Sequence, residues 1–145
     1  MEYRLELVLL PVSDVDRAKQ FYEEKMGFHL DVDHQAGDAF RVVQLTPPGS
    51  SCSITFGVGI TDAQPGSYRG LYLVVSDIEA ARSELVSRGV EVGEIKHMGP
   101  DSDWAPGPHP ERGNYESFAD IVDPDGNTWV LQEVGYSAET ISPAG

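Results

Sequence analysis

Two stretches of this chain share one grammar, and that repetition limits the possible folds more than any other feature of the sequence. The first, from Leu5 to Phe28, reads LELVLLPVSDVDRAKQFYEEKMGF; the second, from Gly70 to Val90, reads GLYLVVSDIEAARSELVSRGV. Superposing Val12-Ser13-Asp14 on Val75-Ser76-Asp77 gives an offset of 63 residues and carries Val15 onto Ile78, Asp16 onto Glu79 and Ala18 onto Ala81. Each copy is an apolar strand running into a helix start.

The helix start has a physical signature in both copies. Ser13 and Ser76 stand where a cap would be, with Asp16 and Glu79 three residues on to complete a capping box. Val15, Ala18, Phe21 and Tyr22 recur at helical spacing, as do Ile78, Ala81, Leu85 and Val86, and Gly27 and Gly89 supply left-handed stops. The spacing predicts helices over about 13–26 and 76–88. After each helix come three β signals, at about 27–32, 40–46 and 53–58, then at about 90–97, 116–122 and 128–134. The last two strands of each half are joined by matching turns, Thr46-Pro47-Pro48-Gly49 and Asp123-Pro124-Asp125-Gly126. Proline presets such a turn and glycine supplies its positive φ. The turns lie 77 residues apart, so the second half carries extra residues between its helix and its last hairpin. The expected organisation is one domain of two β-α-β-β-β modules, about 4–60 and 69–135, with a flexible tail at 136–145.

The strand, the V-S-D-[V/I]-[D/E] helix start, the F-Y and G-F of the first half and the D-P-D-G-N of the second together resemble the vicinal oxygen chelate superfamily. Its members include glyoxalases, bleomycin-resistance proteins and extradiol dioxygenases. The resemblance spans nearly everything from Leu5 to Val134 and rests on the order and duplication of the motifs. It implies an α+β fold, two tandem βαβββ modules whose curved sheet encloses a cup-shaped cleft.

In that superfamily the cup holds a divalent metal, chelated by two adjacent substrate oxygens. Its ligands come from each module's first strand, five residues before the V-S-D valine, and from each last strand, four residues past the turn glycine. Carried over position by position, these fall on Leu7, Gly70, Ser53 and Val130. None is a histidine or a carboxylate, and residues 41–60 contain no His, Asp or Glu. Glu133 is the nearest carboxylate to Val130, and alternation puts it on the other side of the strand. The histidines, His29, His34, His97 and His109, have neither the i, i+4 spacing of a helix face nor the i, i+2 spacing of a strand. The expectation is no metal and no cofactor.

Function is expected in the insert at 97–117, HMGPDSDWAPGPHPERGNYES, whose four prolines and three glycines predict a loop. His97, Tyr115 and Glu116 are its candidate catalytic acid–base groups. Trp104 can cap an apolar ligand and Arg112 can fix a carboxylate or carbonyl oxygen. Tyr72, on the alternation of Gly70, and Arg41 complete the candidate substrate-binding set. The stretch from Pro110 to Asp120 is similar to a recurring subgroup of glyoxalase-like proteins with no settled activity.

Composition narrows the partners. Ten basic against 24 acidic residues give a formal charge of −14, which repels nucleic acid. No apolar run reaches the roughly 20 residues of a membrane helix. The alternating start MEYRLELVLL reads as a strand rather than a signal peptide, and Cys52, the sole cysteine, allows no internal disulfide. A cytoplasmic protein binding a small molecule is expected, and the resemblance adds a homodimer. Two functions fit: a metal-independent isomerase or lyase acting on a small oxygenated organic molecule, or a non-catalytic protein sequestering a drug or metabolite. A metal-dependent glyoxalase or dioxygenase fits less well, because all four ligand positions are vacant.

Overall fold

In the computed structural model, which describes residues 1–138, the chain forms two units. One comprises Met1–Tyr68 with Asp123–Asn127, the other Arg69–Val122 with Thr128 onward. Most of the tail expected at 136–145 lies outside the described residues.

The first unit contains β1 (Leu7–Leu9), helix α1 (Val15–Gln20), β2 (His29–Gln35), β3 (Arg41–Thr46) and β4 (Ser53–Val58). Its sheet has the order β1-β4-β3-β2, with β1 and β4 parallel and the other pairs antiparallel. Alternation sorts the side chains. Val43, Leu45, Ile54 and Phe56 are buried on the helix side against Val15, Ala18, Phe21 and Tyr22, and the Tyr22 ring lies 6.0 Å from Phe56. Each fully buried apolar side chain of this kind contributes about 1.5–3 kcal/mol. Ser53, Thr55, Gln44 and Thr46 fall on the other face.

The expected helix over 13–26 differs in two respects. Its cap is Asp14, not Ser13: the Asp14 carboxylate accepts from the Arg17 amide, and the Ser13 hydroxyl donates to Asp125 instead. Beyond Gln20 the helix widens into a π-helical segment, Phe21–Lys25, closed by the Met26 amide on the Phe21 carbonyl. The wider turn accommodates adjacent large aromatics, Phe21 and Tyr22, both buried and packed edge to face at 4.9 Å.

The Asp-Pro-Asp-Gly-Asn segment of the first unit is more than a turn. Asp123 Oδ1 accepts from the amides of Asp125 and Asn127, and its Oδ2 accepts from the Tyr22 hydroxyl at 2.7 Å and from Asn127 Nδ2 at 2.9 Å. Asn127, fully buried, also donates to the Pro11 carbonyl and accepts from the Tyr68 amide. Gly126 supplies the positive φ of 95° that this turn requires.

The second unit contains β5 (Leu71–Val75), helix α2 (Ile78–Ser87), β6 (Glu91–Val92), β7 (Lys96–Met98), β8 (Trp104–Pro106), β9 (Ser117–Val122) and β10 (Thr128–Glu133). Its sheet runs β5-β10-β9-β7-β8, with β6 also on β9 and with β5 parallel to β10. The order first strand, last strand, third strand, second strand is thus common to both units. Trp129, Leu131, Ala119 and Ile121 are buried on the helix side.

Asp77, like Asp14, takes the cap position expected for the preceding serine, its carboxylate accepting from the Ala80 amide. The single strand expected at 90–97 is broken into Glu91–Val92 and Lys96–Met98, both paired with β9, and Arg82 of α2 donates to the Val92 and Gly93 carbonyls. The insert at 97–117 is also not all loop. Its residues Trp104–Pro106 form β8, antiparallel to β7 with Met98 opposite Trp104. Pro106 has no amide to donate and is compatible with this edge position. No helix among the described residues is long and apolar enough to cross a membrane.

Candidate functional site

The positions where the superfamily binds its metal lie on the sheet faces turned away from the helices. Leu7 and Ser53 are register partners there, and Ser53 Oγ lies 2.6 Å from Thr46 Oγ1. In the second unit Val130 pairs with Tyr72 rather than with Gly70, so the equivalent first-strand position is two residues later than the helix repeat suggests. Neither register brings in an imidazole or a carboxylate, and no cluster of three or more metal-binding side chains occurs among the described residues. A chelated divalent ion does not fit this donor set. Glu133 lies on the helix side of β10, wholly buried, where one carboxylate oxygen accepts from the Ile78 amide at 2.9 Å.

That carboxylate is the partner of Arg112. The guanidinium donates through Nε to Glu133 Oε1 at 2.8 Å and through Nη2 to Glu133 Oε2 at 2.6 Å. It also reaches Glu79 Oε1 at 2.9 Å and Asp77 Oδ1 at 3.5 Å, and it lies over the Tyr136 ring at 3.6 Å. The Glu133 hydrogen bonds raise the Arg112 pKa still further above its ordinary value. Every arm of the fork is hydrogen-bonded within the chain itself. Arg112 ties the insert to β10 and to the start of α2. The adjoining backbone is held in unusual form, with φ of 50° at Arg112 and 65° at Tyr115, and the Tyr115 amide donates to the Glu133 carbonyl.

Arg41 is similarly committed within the first unit. It binds Asp33 at 3.1 and 3.0 Å and Asp16 at 2.7 Å. Hydrogen bonds from Arg41 and then Lys19 pull the Asp33 carboxyl down to about 2.

Three of the expected residues do come together. Trp104, Tyr115 and Glu116 line a cavity of about 370 Å³ with Met98, His109 and Phe118. β8 supplies Trp104, β7 supplies Met98 and β9 supplies Phe118, the register placing all three on the face away from α2. Trp104 meets Phe118 edge to face at 5.7 Å, and the Lys96 ammonium lies 4.6 Å from the centre of the indole. Even so, Trp104 remains 53% exposed and Tyr115 61% exposed. At the polar end His109 Nδ1 lies 3.0 Å from Glu116 Oε2, an oxygen that is buried.

His97 and Tyr72 do not line this cavity. His97 follows the opposite alternation and borders a second cavity of about 320 Å³, which shares Met98 and His109 with the first. Its Nδ1 lies 2.7 Å from the Gly107 carbonyl. Tyr72 is 56% exposed on β5, across β10 from β9, beside Val130. Sequence reasoning passed over Met98 and Phe118, and it weighed His109 without giving it a place in the candidate site. The alternation of Met98 and Phe118 with Trp104 is readable only once β8 is known to be a strand.

The arrangement is an aromatic wall ending in a histidine–carboxylate pair, suited to holding an apolar molecule with a polar edge. Comparison with known proteins is in accord with the fold. Residues 4–131 match the family model described as the Glyoxalase/Bleomycin resistance protein/Dioxygenase superfamily. Among solved structures, TnmS3, an antibiotic binding protein from Streptomyces sp. CB03234, is 33% identical with a TM-score of 0.70, over 92% of this chain and 97% of that one. A glyoxalase/bleomycin resistance protein from the same Streptomyces strain is 34% identical with a TM-score of 0.67, over 90% of this chain and 100% of that one. The YetH protein of Bacillus subtilis (strain 168) is 25% identical over 128 residues, 87% of this chain and 94% of its own. With a family match over almost the whole repeat and a common topology, the chain belongs to the glyoxalase/bleomycin resistance protein/dioxygenase superfamily.

Proposed function

We propose that this chain is a small-molecule binding protein that sequesters an apolar, ring-containing compound against Trp104, Phe118 and Met98. The observation that carries the reading is the half-exposed Trp104, held edge-on by Phe118 at the wall of a 370 Å³ cavity. An indole left this exposed beside other apolar side chains contributes most when a ligand ring covers it. The likeness to TnmS3, an antibiotic binding protein, supports the same reading. So does the commitment of Arg112 and Arg41 to the chain's own carboxylates, which leaves neither to position a substrate anion. The protein acts as a homodimer, in which a second copy shields the exposed Tyr72, Val74 and Tyr115 from water.

An acid–base reading has one specific observation in its favour, the His109–Glu116 pair 3.0 Å apart in the cavity. One experiment separates the two. In Trp129→Phe protein the indole of Trp104 is the sole tryptophan fluorophore, since the chain has two tryptophans. Titration with a panel of aromatic antibiotics is expected to quench that emission saturably, and Trp104→Ala should weaken binding about tenfold or more, the effect of losing about 1.5 kcal/mol of stacking. Chromatography of the recovered ligand should show it unchanged. Steady product formation would move the assignment to catalysis, and a panel with no saturable quenching would end the binding reading.

A further inference from the structure

The second cavity carries a more specific statement about the ligand. It is lined by His97, His109, Met98, Pro100, Pro110 and Glu111 among others, and it adjoins the aromatic cavity through the shared Met98 and His109. The two imidazoles approach edge to face with centroids 5.5 Å apart. Each has its Nδ1 held by a backbone group whose role cannot change. The Gly107 carbonyl can only accept, so His97 Nδ1 carries a hydrogen and its Nε2 offers a lone pair. The Glu111 amide can only donate, at 3.1 Å, so in the neutral ring His109 Nδ1 is bare and the hydrogen sits on Nε2. The Glu116 carboxylate oxygen lies 3.0 Å from the same Nδ1 but makes no hydrogen bond to it. Neither Nε2 has a hydrogen-bond partner among the described residues. Two neighbouring histidines are thus set in opposite tautomers, one a donor and one an acceptor.

We infer that this histidine pair is a polar subsite that recognises a hydrogen-bond acceptor and donor carried side by side, such as a hydroxyl or amide next to a carbonyl. The inference rests on the binding reading above and gives its ligand a chemical class: an aromatic body in the Trp104 cavity with a hydroxy-carbonyl or carboxamide edge towards His97 and His109. His109 donates from Nε2 to the carbonyl, and His97 accepts at Nε2 from the hydroxyl or amide.

Two measurements on the full chain test it. Long-range ¹H–¹⁵N correlation spectra of the free protein near neutral pH should show the Nδ1–H form for His97 and the Nε2–H form for His109. The same tautomer at both rings overturns the inference without any variant. The second measurement compares 3-hydroxy-2-naphthamide with 2-methylnaphthalene, two probes of similar body that differ in the polar edge. The naphthamide is expected to bind at least about tenfold more tightly, a difference that two hydrogen bonds to otherwise unpaired groups supply. His97→Phe and His109→Phe should bring the two probes to within about twofold by weakening only the naphthamide, whereas His109→Gln, which retains a donor near Nε2, should keep most of the preference. Equal binding of both probes to the unmodified protein overturns the subsite and leaves the aromatic cavity standing. No binding of either removes the cavity reading, and the subsite with it.

Discussion

Replacing Arg112 tests whether the insert is held by a buried ion pair or merely rests on the sheet. The Glu133 carboxylate is completely buried and receives two hydrogen bonds from the guanidinium, whose own side chain is 15% exposed. Removing the cation leaves a carboxylate in a low-dielectric site with the Ile78 amide as its remaining partner among the described residues. Breaking a buried pair in this way costs about 3–5 kcal/mol, whereas an exposed pair is worth less than about 1 kcal/mol. Arg112→Met is the suitable change because it keeps an unbranched stem, and the cost of a positive φ at 112 is common to both side chains. Glu133→Leu removes the other partner and leaves a buried guanidinium edge facing Asp77 and Glu79. Urea unfolding of both single variants and the double variant gives the coupling energy. The expected coupling is at least about 2 kcal/mol, with the double variant more stable than Arg112→Met alone. A coupling at or below about 0.5 kcal/mol would refute the reasoning, since it would mean that water, not Glu133, solvates the guanidinium.

Asn127→Ala should lower stability by about 2–3 kcal/mol in the same urea assay, because it removes three buried hydrogen bonds, to the Asp123 carboxylate, to the Pro11 carbonyl and from the Tyr68 amide; a loss within about 0.5 kcal/mol would show that the turn is not held by its side chain. Asp33 has a folded pKa near 2, below its unfolded value of about 4, so its contribution is complete above about pH 4 and is lost as the pH falls towards 2. The stability gap between the native chain and Asp33→Asn is therefore expected to close across that interval, and a gap constant with pH would contradict the Arg41 and Lys19 pairing. Gly57→Ala should prevent the β3–β4 pairing from forming as it stands, because a Cβ there would sit 1.8 Å from the Arg41 carbonyl oxygen; an unchanged melting temperature would count against that register.

The parts of the fold legible in the sequence are those governed by neighbours along the chain. The Pro-Pro-Gly turn and the alternation beyond it place β4 at Ser53–Val58, as predicted. The positive φ of Gly27 and Gly89 follows from their position at helix ends. Where two adjacent residues can perform one task, as Ser13 and Asp14 or Ser76 and Asp77 can cap, the residue types alone do not choose, and in both units the aspartate takes the cap. β8 was illegible because three residues ending in proline carry no periodicity of their own, and only pairing with β7 makes them a strand. For the site, Trp104, Tyr115 and Glu116 were legible as chemistry concentrated in one insert. The fate of Arg112 was not, since its carboxylate partners lie 21, 33 and 35 residues away along the chain.

The position of Trp104 on β8 sets how the aromatic wall can yield. This strand is joined to the sheet along one side, through three register pairs with β7, and among the described residues no strand pairs with its other edge. Moving the indole outward therefore perturbs a fringe of three residues, while the buried strands that carry Ile121 and Leu131 keep their pairing. On the proposed binding reading, a wall built this way would accommodate guests of different girth by flexing its margin, and discrimination would fall to the groups at the rigid end.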